Sequence, residues 1–152
     1  MKNVRVAVMA AVVCVMGCAG KSTPVGPLGP VLDLRPLLPE AVRAKAPADA
    51  AAVEHRAEVT AGEPAAKVAV TWRTFTDGPS SYIVSMGFEV VAAAEGVALE
   101  AGRFGEPVNR GTAEAVMQSV LWQIVWNNPG AASTRGGTVT GDILADGTLH
   151  TN

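Results

Sequence analysis

Between Lys67 and Arg103 apolar and polar residues alternate with a period of two, and this pattern constrains the fold more than any other in the chain. Side chains along an extended strand point to opposite faces in turn, so alternation marks a strand with one buried side. "KVAVTWRTF" places Val68, Val70 and Trp72 on one face and Ala69, Thr71 and Arg73 on the other. "TDGPSS" then supplies turn chemistry, with Asp77 and Gly78 before a proline and two serines. "YIVSMGFEVVAAA" sets Tyr82, Val84, Met86, Phe88 and Val90 on one face and Ser85, Gly87 and Glu89 on the other. After the turn at Glu95-Gly96, "VALEAGRF" keeps Val97, Leu99 and Ala101 in register with Glu100 outward. These three stretches predict an antiparallel meander with one apolar face.

Such a face needs a cover, and the downstream sequence predicts a helix for it. Thr112 is a suitable N-cap. From there "AEAVMQSVLWQIVWNN" brings Ala113, Val116, Met117, Val120, Leu121, Ile124 and Val125 to helical spacing, with Glu114, Gln118, Ser119, Gln123 and Asn127 outward. Asn127-Asn128-Pro129-Gly130 would end it. Asp146-Gly147, between "DIL" and "TLH", predicts a short C-terminal hairpin, at an edge or as a partly loose tail. A second, shorter helix is expected from about Ala50 to Glu58. The expected fold class is therefore α+β: a small antiparallel meander packed by one amphipathic helix, with a C-terminal hairpin.

This core must hold by packing alone. The only cysteines are Cys14 and Cys18, so no disulfide can staple the region beyond them. The same fact removes cysteine metal sites and cysteine nucleophiles from that region.

The start of the chain has a different organisation. Lys2 and Arg5 precede an unbroken apolar run, Val6 to Met16, of eleven residues. Small residues follow at Gly17, Cys18, Ala19 and Gly20, which is the anatomy of an export signal. The run falls short of the roughly 20 residues a membrane-spanning helix takes. "GKST" imitates the end of a phosphate-binding loop, but Val15 stands where that loop needs its first glycine, and Pro24 and Pro27 forbid the helix that should follow.

"VMGC", Val15 to Cys18, resembles the lipobox of bacterial lipoproteins, although Met16 stands where that class usually has a smaller residue. The resemblance covers about twenty residues and implies that Cys18 carries a diacylglycerol thioether and, after removal of residues 1–17, an acylated amine. Ala19 after the cysteine resembles an outer-membrane destination. Two other outcomes stay open: cleavage by ordinary signal peptidase at Gly17-x-Ala19, giving a soluble secreted or periplasmic chain, or an uncleaved anchor.

Removing residues 1–17 leaves 135, enough for one modest core, and takes two basic residues, so that the formal charge moves from −2 to −4. Without a basic stripe there is no electrostatic footprint for nucleic acid, and membrane association would rest on the lipid.

Residues 18–48 read as a lipid-bearing cysteine and a tether. Six of the ten prolines lie in it, and Pro24, Pro27 and Pro30 recur at the polyproline II period. Yet Val31, Leu32, Leu34, Leu37, Leu38 and Val42 are more apolar than a free linker needs. Segment 31–42 is expected to dock on the body or on a partner, with 19–30 mobile, and 49–152 to form the single small domain. "EAVRAKA" after Pro39 suits a helical turn or two.

Few residues point to chemistry. Trp122 and Trp126, four apart, form a candidate partner-binding or ligand-stacking strip, or else cover the edge of the core; Leu34, Leu37 and Leu38 of the docking segment are further candidate partner-binding residues. His55 and His150 read as solvated surface residues. Ser80 and Ser81 follow a turn and not a nucleophile elbow. Gly102 and Gly105 around Arg103 are too little for a phosphate cradle, and Glu89, Glu100 and Asp142 show no acid–base pairing. No catalytic residue, cofactor or metal is expected. The leading function class is a non-enzymatic envelope lipoprotein that binds another envelope protein in an assembly, transport-accessory or scaffold role. The alternative is a periplasmic small-ligand module with an apolar pocket, and a hydrolase comes last.

Overall fold

The computed structural model describes residues 23–46, 52–62, 66–128 and 135–152. The expected signal peptide, Cys18 and its lipid lie outside these residues. The fold is a nearly closed, barrel-like β-sheet, and not the expected α+β arrangement. One half consists of β3 (Val53–Ala61), β4 (Ala66–Asp77) and β5 (Ser80–Ala93), paired antiparallel in that order. The other is built on β8 (Val116–Asn128), which pairs antiparallel with β6 (Ala98–Arg103), β7 (Val108–Gly111) and β9 (Arg135–Leu144). β10 (Leu149–Thr151) adds to β9 through the turn at Asp146-Gly147, where Gly147 takes the positive φ of 97° that a tight hairpin needs.

The main correction is the predicted helix, which is β8. Its even-numbered residues Val120, Trp122 and Ile124 enter the core, with Gln118 and Asn128 also buried. A spacing of four satisfies both a helix and a strand, so Val116, Val120 and Ile124 fit either period. The local capping signal is formed as well: the Ala115 N–H donates to Thr112 Oγ1 at 3.1 Å. The chain then turns into a strand, because β-branched and aromatic residues dominate from Val116 to Trp126 and β6 and β9 offer two edges.

Three further expectations change. Residues 53–61 form β3, not a helix. β6 leaves β5 after the Gly96 turn and pairs with β8, so the three-strand meander is replaced by β3–β4–β5. The face assignment along β5 also breaks. Arg73 pairs with Ser85 and Thr74 with Ile83, leaving Val84 as the extra residue of a bulge. The bulge moves Tyr82 and Val84 out of the main core into a second cluster with Leu38 and Val42, and turns Ile83 inward in their place.

The N-terminal segment is a strap along β5. Gly26–Pro27 (β1) and Leu32–Asp33 (β2) pair with β5, and the Leu28 and Leu34 N–H groups donate to Phe88 O and Val84 O at 2.9 Å each. Residues 23–30, expected to be mobile, are thus hydrogen-bonded to the body. Proline is tolerated on an edge strand where no ladder donor is needed, which reconciles the proline spacing with pairing. A 3₁₀ turn at Arg35–Leu37 leads to the short helix α1 (Glu40–Arg43), whose Val42 closes the second cluster.

Candidate functional site

The strap creates a concavity with a largely apolar lining. At its start, the Thr23 N–H donates to Val97 O at 2.9 Å and Thr23 Oγ1 accepts from the Leu99 N–H at 2.8 Å. The strap there bridges β5 to β6. Beyond this bridge the two separate, and a seam of about 260 Å³ opens between them. Leu28, Leu32, Phe88 and Ala101 line it, with Arg103 beside them. Arg103 lies directly across from Trp122 in the β6–β8 ladder, so both side chains leave the sheet on the same face. Its Nη1 donates to Gly105 O and lies 3.8 Å from Glu106 Oε2. The seam can therefore take an apolar segment beside a partly neutralised cation. A second, more open concavity of about 340 Å³ is flanked by Arg35 and Arg43. Their guanidinium groups are engaged by Asp33 and by Leu38 O at 2.9 and 3.0 Å.

The candidate partner-binding residues lie in different parts of the fold. Trp122 is 0% exposed, and Leu34 and Leu38 are each 2% exposed. Trp126 is half-buried against the main core, and Leu37 is 38% exposed. Leu34 belongs to the main core and Leu38 to the second cluster. The tryptophans face glycines across the β8–β9 ladder: Trp122 pairs with Gly141 and Trp126 with Gly137. A Cβ at Gly137 would meet Trp126 Nε1 at 2.9 Å, and one at Gly141 would meet the Trp122 ring at 2.5 Å. The signal was present in the sequence, because Gly137 and Gly141 share the four-residue spacing of the two tryptophans.

His150 is an exposed surface residue, as expected, whereas His55 is half-buried. His55 stacks on Trp72, with ring centroids 5.5 Å apart, and its Nε2 is 2.9 Å from Thr74 Oγ1. Thr74 is buried, so this histidine–hydroxyl contact presents no nucleophile to a substrate. His150 Nδ1 lies 3.0 Å from Asp142 Oδ1, while Arg110 reaches Asp142 Oδ2 at 3.4 Å and donates from Nε to Ser119 Oγ at 2.9 Å. Serine, aspartate, histidine and arginine are thus gathered on β7 to β10. Ser119 is buried and held by the arginine, and no hydrogen bond links it to His150 among those the structure shows. Ser80, read as turn chemistry, accepts the Val116 N–H at 2.9 Å and ties β5 to β8. Among the described residues no group of three or more His, Cys, Asp or Glu is placed to hold a metal ion. Fold and seam together define a barrel-like β protein with a strapped, partly open side. Compared with protein-family models, curated proteins and solved structures, the chain has no significant match.

Proposed function

We propose that the chain is a lipid-anchored protein of the cell envelope, on the periplasmic face of the outer membrane, whose β body has a non-enzymatic binding role toward another envelope protein. The observation that carries this reading is the lipobox-like "VMGC", which ends only five residues before Thr23, where the strap is already bonded to the sheet. A binding role is supported by the way the polar side chains are used. Asp142, His150, Arg110 and Ser119 contact one another, and His55 and Thr74 close a packed region. Phe104 and Val108, exposed on the β6–β7 connection and at the start of β7, are apolar side chains available to a partner on the side of the barrel.

Intact mass of the mature chain from envelopes tests the anchor. The expected mass starts at Cys18 and includes acyl groups, and Cys18→Ala abolishes both cleavage and lipid. A mass starting at Gly20 without acyl groups rejects the anchor. Crosslinked pull-down of the lipidated protein tests the role, and one dominant envelope protein is the expected result. The seam favours a second reading, a small-ligand module for an apolar chain, which predicts a co-purifying small molecule and no protein partner.

A further inference from the structure

We infer that the lipid on Cys18 seats the body directly at the lipid headgroup surface, with the Thr23 end of the barrel down and the β4–β5 turn and C-terminal hairpin pointing away. This rests on the proposed lipid anchor and adds to it a specific face and orientation. It shortens the expected mobile tether to the few residues between Cys18 and Thr23. The argument is one of length. Fully extended, the five steps from Cys18 to Thr23 span at most about 18 Å, at about 3.3–3.6 Å per residue. Thr23 is fixed by hydrogen bonds to Val97 and Leu99, just after the Glu95-Gly96 turn. The C-terminal end of β8 is at the same end, since Ala98 pairs with Asn127. So are the last residues of β3 and the first of β4, since Ala61 pairs with Ala66 and Ala66 with Ala93. β4 runs away from this end for 12 residues, about 40 Å at the usual rise of about 3.3 Å. The leash is thus less than half the length of the strand that begins at that end. Val25, 68% exposed next to the leash, is the apolar side chain presented to the headgroup layer.

Two native lysines report on the two ends. Lys67, second residue of β4, lies at the leash end, and Lys45, whose Nζ is 3.3 Å from Asp77, lies beside the β4–β5 turn. Both are exposed in the free body, at 51% and 61% of the side chain. In chain 18–152 Cys18 is the only cysteine, so a maleimide phospholipid coupled to it anchors the body whether or not cells acylate that residue. This coupled chain is bound to phosphatidylcholine vesicles, and the acetylation rate of each lysine is followed by mass spectrometry. The expected result is a severalfold slowing at Lys67 and no change at Lys45, relative to the uncoupled chain. A flexible Gly/Ser insert of about 20 residues between Ser22 and Thr23 adds a reach of about 25 Å and restores labelling at Lys67. Slowing at both lysines means that the body lies flat, slowing at neither means that it stands clear, and protection that survives the insert means that the leash is not its cause. Each of these overturns the proposal. An unlipidated mass from cells rejects the anchor reading and leaves this geometric result standing.

Discussion

The two halves of the barrel fill one core by partly different means. In β4 and β5, Val68, Val70, Trp72, Met86, Phe88 and Val90 contribute side chains from both members of a strand pair. In β8 and β9 such two-sided pairs (Val120 with Ile143, Ile124 with Val139) alternate with one-sided ones, since Trp122 and Trp126 meet Gly141 and Gly137 across the ladder. The first half depends on side-chain volume, which a neighbour can partly replace by shifting rotamers. The second depends on the absence of a Cβ, for which no neighbour can compensate. Similar sheets with similar registers should therefore respond differently to added and removed atoms.

The largest expected effect comes from adding atoms to the second half. A Cβ at Gly141 would run into the His150 carbonyl, which is backbone, as well as the Trp122 ring. Gly141→Val should destabilise by about 4 kcal/mol or leave the chain unfolded, since overpacking against backbone lies at the severe end of such changes. Gly102 is also a strand glycine, but nothing lies within 4 Å of a Cβ built there. Gly102→Val should stay within about 0.5 kcal/mol, or stabilise through β propensity. Urea melts of the two variants measure the difference, and equal losses would mean that the tryptophan–glycine pairing has no special role.

Removing atoms probes the first half and its strap. Leu34→Ala should cost about 2–5 kcal/mol, because the side chain is 2% exposed and sits in the main core. Leu37→Ala, three residues on and 38% exposed, should stay within about 0.5 kcal/mol. Thermal melts of the pair decide whether the strap is part of the core or a cover over a body that is stable alone. A loss at Leu37 as large as that at Leu34 would show that the strap acts as a surface of undifferentiated apolar contact.

The halves also differ in how far their structure could be read from the sequence. In β4 and β5 the outward positions carry Arg73, Ser85 and Glu89, so alternation was visible and gave two strands and their turn. The bulge at Val84 was not visible, because Val84 continues an apolar pattern whose face changes only through its pairing. In β8 the outward positions mix the half-buried Met117, Leu121 and Val125 with Ser119, Gln123 and Asn127, so apolar residues fall on both faces and the period is ambiguous. Sequence separation adds to the difficulty, since Trp122 meets Gly141 and Arg103, and neither is a local neighbour. Of the candidate site, the apolar strap residues were legible as something that had to dock. The seam was not, because it exists only where the strap and β6 separate.

A smaller effect is expected where the two halves meet. Gln118 is 2% exposed, accepts the Ile83 N–H at Oε1 (2.8 Å) and donates from Nε2 to Asn109 Oδ1 at 3.2 Å. Gln118→Leu keeps the approximate volume and leaves the Ile83 N–H without that partner, at a cost of about 1–3 kcal/mol. Hydrogen exchange at Ile83 would rise above that of its β5 neighbours. A uniform rise along β5 would instead mean that the glutamine supports the whole strand and not a single contact.

The smallest effect tests the point where the strap leaves the first half. Asp33 is still paired with Ser85, and its carboxylate accepts from Arg35 Nε and Nη2 at 2.9 Å each and from the Arg35 backbone N–H at 3.0 Å. The side-chain hydrogen bonds to Arg35, followed by the backbone one, hold the Asp33 carboxyl below its usual range. A group depressed in the folded state adds stability above its unfolded pKa, and that stability is lost as pH falls through its folded pKa. Both partners are largely exposed, so the pair is worth at most about 1 kcal/mol and is weakened by salt. Asp33→Asn should therefore lower Tm slightly at about pH 7, where the carboxylate is ionised. The gap should narrow as the pH falls below the ordinary carboxylate range, and also in high salt. A gap that persists in acid would assign the effect to the 3₁₀ turn at Arg35–Leu37 and not to the charge, since the amide oxygen of the substituted side chain also accepts a backbone N–H. The strap's change of direction would then depend on the turn's own hydrogen bonds.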